Sequence, residues 1–277
     1  MSAKQGLGKM VAVLLLLLVL TALLVNSVLD QKAESTVTEP VVTSSPVFGS
    51  EMPDFGSIQD VKAKKAAFFG YMKPIVDAEN QKIATDRTRI EQLSSQPALS
   101  ETDKAWLTSV VKKYRLSLVD ELTPQWYAAL LERVDTLPVS LALAQAANES
   151  AWGTSRFARE GNNLFGQWCF SKGCGLVPTQ RSEGADHEVR KFDSVAGSVA
   201  AYLLNINTHA QYADLRALRA EARREDQPVT GIYLSPGLVR YSQRGEAYVH
   251  ELMAMITGNG LEKYDVALAA PASPGAG

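Results

Sequence analysis

The stretch Asn148-Glu149-Ser150-Ala151-Trp152-Gly153-Thr154-Ser155 combines residues suited to acid chemistry. Glu149 closes an apolar, alanine-rich run, a tryptophan stands just beyond it, and a glycine ends the turn. A helix C-terminus carries partial negative charge, and apolar walls disfavour an ionised side chain; both raise a carboxyl pKa. A carboxyl that keeps its proton near neutral pH is what a glycosidase needs as general acid. A plainer reading competes, in which Glu149 caps its own helix end or pairs with Arg156 or Arg159.

The elements that must position this carboxylate are mostly helical. Residues 58–93 place Val61, Lys65, Phe68, Phe69, Met72, Ile75 and Val76 near helical spacing, with Pro74 expected to kink or break the helix. Residues 100–118 form a second helix, opened by Ser100 with Asp103 three residues on, an acidic capping box. A third follows Thr123-Pro124 to about Val134, with proline at the first helical position. The run from Leu137-Pro138 to Ser150 is the helix that carries Glu149. Further helices are expected at 194–208, 213–224 and 245–257, and a hairpin at 176–181 and 188–192 around Ser182-Glu183-Gly184. The fold class is therefore α+β, a mainly helical domain with a small β-hairpin lobe.

The chain's 277 residues, 46% hydrophobic, suffice for one sizeable core, and its net charge of −2 gives no basic face for nucleic acid. The cluster Arg216, Arg219, Arg223, Arg224 is balanced by Glu221, Glu225 and Asp226 and reads as a solvated helix face. The two cysteines, Cys169 and Cys174, are too few for a zinc site, and the histidines are scattered. They read as a short-loop disulfide in an oxidising compartment, or else as two half-buried thiols. No metal or cofactor is indicated. Lys4 and Lys9 precede an uncharged apolar run, residues 10–29, about the 20 residues that cross a bilayer. It is either an uncleaved single-pass anchor in the inner membrane or a cleavable signal with a weak site at Val25-Asn26-Ser27. Both put the remainder in the periplasm. The organisation that follows is a membrane segment at 1–29, a flexible linker at 30–54, an N-terminal helical region at 55–135 packing on a catalytic domain at 136–264, and a disordered tail at 265–277.

The Glu-Ser-x-Trp-Gly stretch at Glu149, followed by Asn162-Asn163-Leu164-Phe165-Gly166, resembles the glucosaminidase domain of glycoside hydrolase family 73. Gln167-Trp168-Cys169, Cys174-Gly175-Leu176-Val177-Pro178, His187-Glu188-Val189-Arg190 and Asn207-Thr208-His209 are similar more narrowly to its Bax-type proteins. Residues 60–89 share that likeness, so it covers roughly 55–257. The resemblance implies a lysozyme-like fold and hydrolysis of the GlcNAc-β-1,4-MurNAc bond of peptidoglycan glycan strands. It implies Glu149 as the acid, and a sugar groove formed by Trp152, Asn163, Phe165 and Gly166, with Trp168 as an aromatic platform and Tyr212 facing the cleft. Core packing is the competing role for Phe165 and Trp168. The expected first hairpin strand has no acid, so the second carboxylate is Glu183 in the turn, Glu188 on the return strand, or neither, with the substrate's acetamido group as nucleophile.

Three other functions share these features: a lytic transglycosylase, which needs only one Glu; a non-catalytic wall-binding module; and a membrane-tethered adaptor whose residues 58–118 bind a protein partner. The sequence names no such partner.

Overall fold

A computed structural model describes residues 51–179, 184 and 186–265. The expected membrane segment, most of the linker, nearly all of the tail, and Glu183 lie outside the described residues. Among the described residues no helix is long and apolar enough to cross a membrane. The domain is mainly helical, with one small antiparallel sheet.

The first helix, α1 (Val61–Ser94), opens where the Asp60 carboxylate accepts from the Ala63 amide. It runs through Pro74 without ending, so the break, one of the two outcomes expected there, does not occur. Proline removes one hydrogen bond and costs roughly 3 kcal/mol inside a helix. Phe68, Phe69 and Met72 before it and Ile75, Val76 and Ile83 after it are all buried, at about 1.5–3 kcal/mol each, so tertiary packing outweighs that cost. Val61, in contrast, stays exposed. Helix α2 (Glu101–Lys113) begins with the expected box: the Asp103 amide donates to Ser100 Oγ, and Ser100 Oγ donates to the Asp103 carboxylate. It stops short of Leu118, which is exposed. Helix α3 (Pro124–Arg133) is capped by Thr123.

Helix α4 (Val139–Ser150), which carries Glu149, packs against α1 and the C-terminal helix. Its alanines 142, 144, 146 and 147 are fully buried, so neighbouring helices come close on every side. Two polar residues fix where it begins. Buried Asn80 on α1 donates to the Leu137 carbonyl and accepts from the Leu137 amide. Pro138 supplies no side-chain cap, and the Asp265 carboxylate substitutes, accepting from the Ser140 amide and hydroxyl and from the Gly231 amide.

Beyond α4 come α5 (Arg156–Gly161), α6 (Val195–Thr208), α7 (Ala213–Arg224), the single turn α8 (Gly231–Leu234) and α9 (Glu246–Gly258). Strands β1 (Trp168–Cys169), β2 (Gly175–Leu176) and β3 (Glu188–Arg190) make an antiparallel sheet in the order β1-β3-β2. The expected two-stranded hairpin is thus a three-stranded sheet. Its first strand contributes only Gly175–Leu176, and the missed β1 pairs Trp168 with Val189 and Cys169 with Glu188. Strands of two or three residues are too short to show an alternating pattern.

Of the four α7 arginines, Arg223 and Arg224 are exposed, but Arg216 and Arg219 are buried and not on a solvated face; the countercharge for Arg219 and Arg223 is Asp135, far away in sequence and itself buried. Arg223 makes two hydrogen bonds to Asp135, each 2.6 Å, with Arg87 and Arg219 at 3.4 and 3.5 Å. Counting nearby acids missed this, because the pairing spans the fold.

Candidate active site

Helix α4 ends in an unusual turn. Ala151, Trp152 and Gly153 all have left-handed backbones, at φ of 50°, 62° and 76°. Only glycine adopts this conformation freely, so the two side-chain-bearing residues store strain. Ser150 holds the turn: buried, it donates to the Ala146 carbonyl and accepts from the Gly153 amide. Gly153 is also required for space, since a Cβ there would lie 2.6 Å from the Phe55 ring. The turn swings Trp152 onto α1, where it meets Phe68 and Phe69 edge-on and Lys65 sits 4.9 Å from its ring. Trp152 therefore joins the motif to the N-terminal helix.

Glu149 is left half-buried at the helix end. Its Oε1 accepts from the Tyr248 hydroxyl at 2.9 Å. Tyr248 in turn accepts from Gln145 Nε2 at 3.0 Å, and Gln145 Oε1 accepts from the Tyr202 hydroxyl. Gln145, Tyr202 and Tyr248 are all buried, so α4, α6 and α9 meet in one fully oriented chain that ends on the carboxylate. Tyr241 stacks parallel on Tyr248 at 5.3 Å and donates to the Phe165 carbonyl. Burial raises the Glu149 pKa above the ordinary glutamate value. The Tyr248 bond works against this, the charge of Glu251 adds to it, and Asn148 and Arg244 oppose it. Glu251 is itself paired with Arg244 at 2.6 Å. Burial first, then the charge of Glu149, pushes the Tyr248 phenol well up. Tyr212 is raised to about 12 by burial, against a hydrogen bond with Asn205, and further by Glu149. These phenols remain neutral donors at any working pH.

The remaining sequence-derived residues fall into two groups. Gly166 faces the acid: its φ is 64°, and a Cβ there would lie 3.9 Å from Glu149 Oε2 with nothing else in reach. Glycine here leaves open the space beside the second carboxylate oxygen. Trp168 is 58% exposed and stacks on His187 at 3.9 Å, which presents a flat ring to solvent. Asn163 and Phe165, by contrast, are buried supports. The Asn163 amide donates to the Gln167 and Arg190 carbonyls, and its oxygen accepts from the Phe165 and Gln167 amides. Phe165 stacks on Tyr202 at 3.9 Å, beneath the surface and not along a groove wall. Tyr212 is buried 5.9 Å from Tyr241. Cys169 and Cys174 form the expected disulfide. Both Glu188 oxygens hold that loop, accepting from the Gly173 and Gly175 amides at 2.9 and 2.8 Å. Neither Cys169, Cys174 nor Glu188 is then left to bind a metal, although the three lie close together.

Sequence reasoning missed Gln145, Tyr202, Tyr241, Tyr248 and Glu251. Gln145 carried a signal, as a long polar side chain inside an apolar helix one turn before Glu149. The others sit on separate elements whose spacing announces nothing.

The family described as mannosyl-glycoprotein endo-beta-N-acetylglucosaminidase (Glucosaminidase) matches residues 124–261. No solved structure matches the chain. "Protein bax" of Escherichia coli (strain K12) is 34% identical over 210 residues, 76% of this chain and 75% of the relative. The match takes in the whole Glu149 site from α4 to α9 as well as helices that precede it, and the chain accordingly belongs to the glucosaminidase family, as a Bax-type member.

Proposed function

We propose that the protein is a peptidoglycan hydrolase with a lysozyme-like fold that cleaves the GlcNAc-β-1,4-MurNAc bond, with Glu149 as general acid. The observation that carries this is the Glu149 carboxyl itself, raised by burial, held through one oxygen by Tyr248 and open at the other beside Gly166. A protonated Glu149 gives its proton to the glycosidic oxygen as the bond to the departing sugar breaks. Tyr248 fixes the carboxyl's orientation, so the proton is delivered from Oε2. Trp168 receives the apolar face of a sugar ring.

Glu188 holds the disulfide loop, which argues against a second catalytic role for it. Glu183 in the lobe turn, or the substrate's acetamido group, then completes the reaction. The apolar N-terminal run and the disulfide support a place at the inner membrane facing the periplasm, with the run kept as an anchor.

Mass analysis of purified peptidoglycan after digestion tests the reaction. Fragments with reducing-end GlcNAc are expected. Anhydro-MurNAc ends would make the protein a lytic transglycosylase, and intact sacculi would make it a binding module.

A further inference from the structure

Next to the Glu149 site lies a second, polar pocket of about 240 Å³, half open to solvent, with Arg115, Gln167, Trp168, Arg190 and Asn205 in its walls. Its Gln167 directly follows Gly166, where a Cβ would lie 3.9 Å from Glu149 Oε2, and its Trp168 is the exposed ring of the site. Arg115 and Arg190 line this pocket and no acidic residue does. Among the described residues neither Arg115 nor Arg190 forms an ion pair; Arg190 lies over the Phe192 ring at 4.8 Å. The Oε1 of Gln167 is buried and has no hydrogen-bond partner, while its Nε2 makes one long bond to the Ser198 carbonyl.

The walls are rigid. The Arg190 amide donates to the Gln167 carbonyl at 2.8 Å, and Asn163 clamps both carbonyls. Arg115 stands at the left-handed end of α2, with its carbonyl bound by Arg133 at 2.8 Å. Unpaired guanidiniums suit a carboxylate, which they grip through two parallel bonds. On peptide-bearing glycan strands the carboxylates are those of the peptide stems.

We infer that this pocket binds a carboxylate of the peptide stems carried by the wall polymer. The inference rests on peptidoglycan being the substrate. It makes the protein a reader of peptide substitution next to the bond it cuts, with preference for glycan strands that still bear their stems.

The test uses three probes: peptide-bearing glycan strands, strands stripped of peptide by an amidase and therefore carrying free lactyl carboxylates, and the released stem peptide alone. Calorimetric titration is expected to show the free peptide binding, and Arg115→Gln or Arg190→Gln to weaken it at least about tenfold, the worth of a charge-assisted hydrogen bond. Arg190→Lys, which keeps the charge and loses the fork, is expected to fall between. In the cleavage assay the parent prefers peptide-bearing strands, and each glutamine variant brings the ratio of the two rates toward one. No peptide binding would overturn the inference. So would equal slowing on both kinds of strand, which would show that the arginines do not read the stem, and so would slowing confined to the stripped strands, which would assign them to the free lactyl carboxylate. Peptide binding that depends on the arginines, with no strand cleaved, would uphold the pocket and sink the hydrolase.

Discussion

Two carboxylates stand at the two ends of α4, and the fold treats them in opposite ways. Asp135, just before the helix, is buried; burial alone would raise its pKa, but Arg219, Arg223 and Arg87 outweigh that and hold it below the ordinary aspartate value. Glu149, at the far end, is only half-buried but is offered a phenol, an amide and a distant arginine in place of direct cations, and burial wins. Similar groups diverge because the countercharge differs. Asp135 stitches α1, α7 and the entry to α4 together as a permanent anion. Glu149 is left able to hold a proton, which is of little use to stability and suits an acid catalyst.

The largest effect expected is on turnover. Glu149→Gln keeps the shape and the bond from Tyr248 but has no proton to give, so hydrolysis of purified peptidoglycan falls by about 100- to 10,000-fold, with circular dichroism unchanged. Asp135→Asn acts on the other property: it leaves three arginines around a neutral group and costs about 3–5 kcal/mol of stability, read by urea unfolding. Normal unfolding of that variant would remove the contrast between the two ends.

The pH dependences have opposite signs. The Asp135 pKa is lower folded than unfolded, so its stabilising contribution is complete above the unfolded value and is lost as pH falls through the folded one. The Glu149 pKa is higher folded than unfolded, so its contribution is present below the unfolded value and is lost as pH rises through the folded one. Glu149→Gln is therefore expected to gain stability over the parent as the pH is raised, in unfolding curves at matched pH. The proposed activity falls over the same rise, because the acid must be protonated.

A smaller change is expected from Tyr248→Phe. It removes a bond that favours the ionised carboxylate, so the alkaline limb of the pH–rate profile moves to higher pH, and looser placement lowers the maximal rate by about tenfold, as loss of one hydrogen bond to a charged group allows. An unmoved limb would mean that Tyr248 does not act on Glu149. The smallest effect belongs to the disulfide. Its loop is short, so reduction costs about 2 kcal/mol at most and loosens the amides that Glu188 holds, visible as faster amide exchange at 173–175 before any global unfolding.

The contrast also explains what could be read in advance. Helices α2 and α3 were legible because their caps are local: Ser100 with Asp103, and Thr123 before Pro124. Glu149 was legible because its motif is contiguous. Its partners were not, since Tyr202, Tyr241 and Tyr248 come from distant segments and meet only when α9 packs on α4 and Tyr202 bonds Gln145. The same non-locality hid Asp135 from the arginines of α7, and the packing on both sides of Pro74 hid the continuity of α1. Phe165 was read as a groove wall because its motif borders the cleft, but its ring turns inward onto Tyr202.

The difference between the two ends of α4 is that Glu149 keeps its proton where Asp135 gives its proton up. A carbon-13 titration of the side-chain carboxyls, assigned with Glu149→Gln and Asp135→Asn, measures both groups in one sample. Glu149 is expected to titrate above an ordinary glutamate and Asp135 below an ordinary aspartate. A Glu149 that ionises at or below the ordinary glutamate value would contradict its assignment as the general acid.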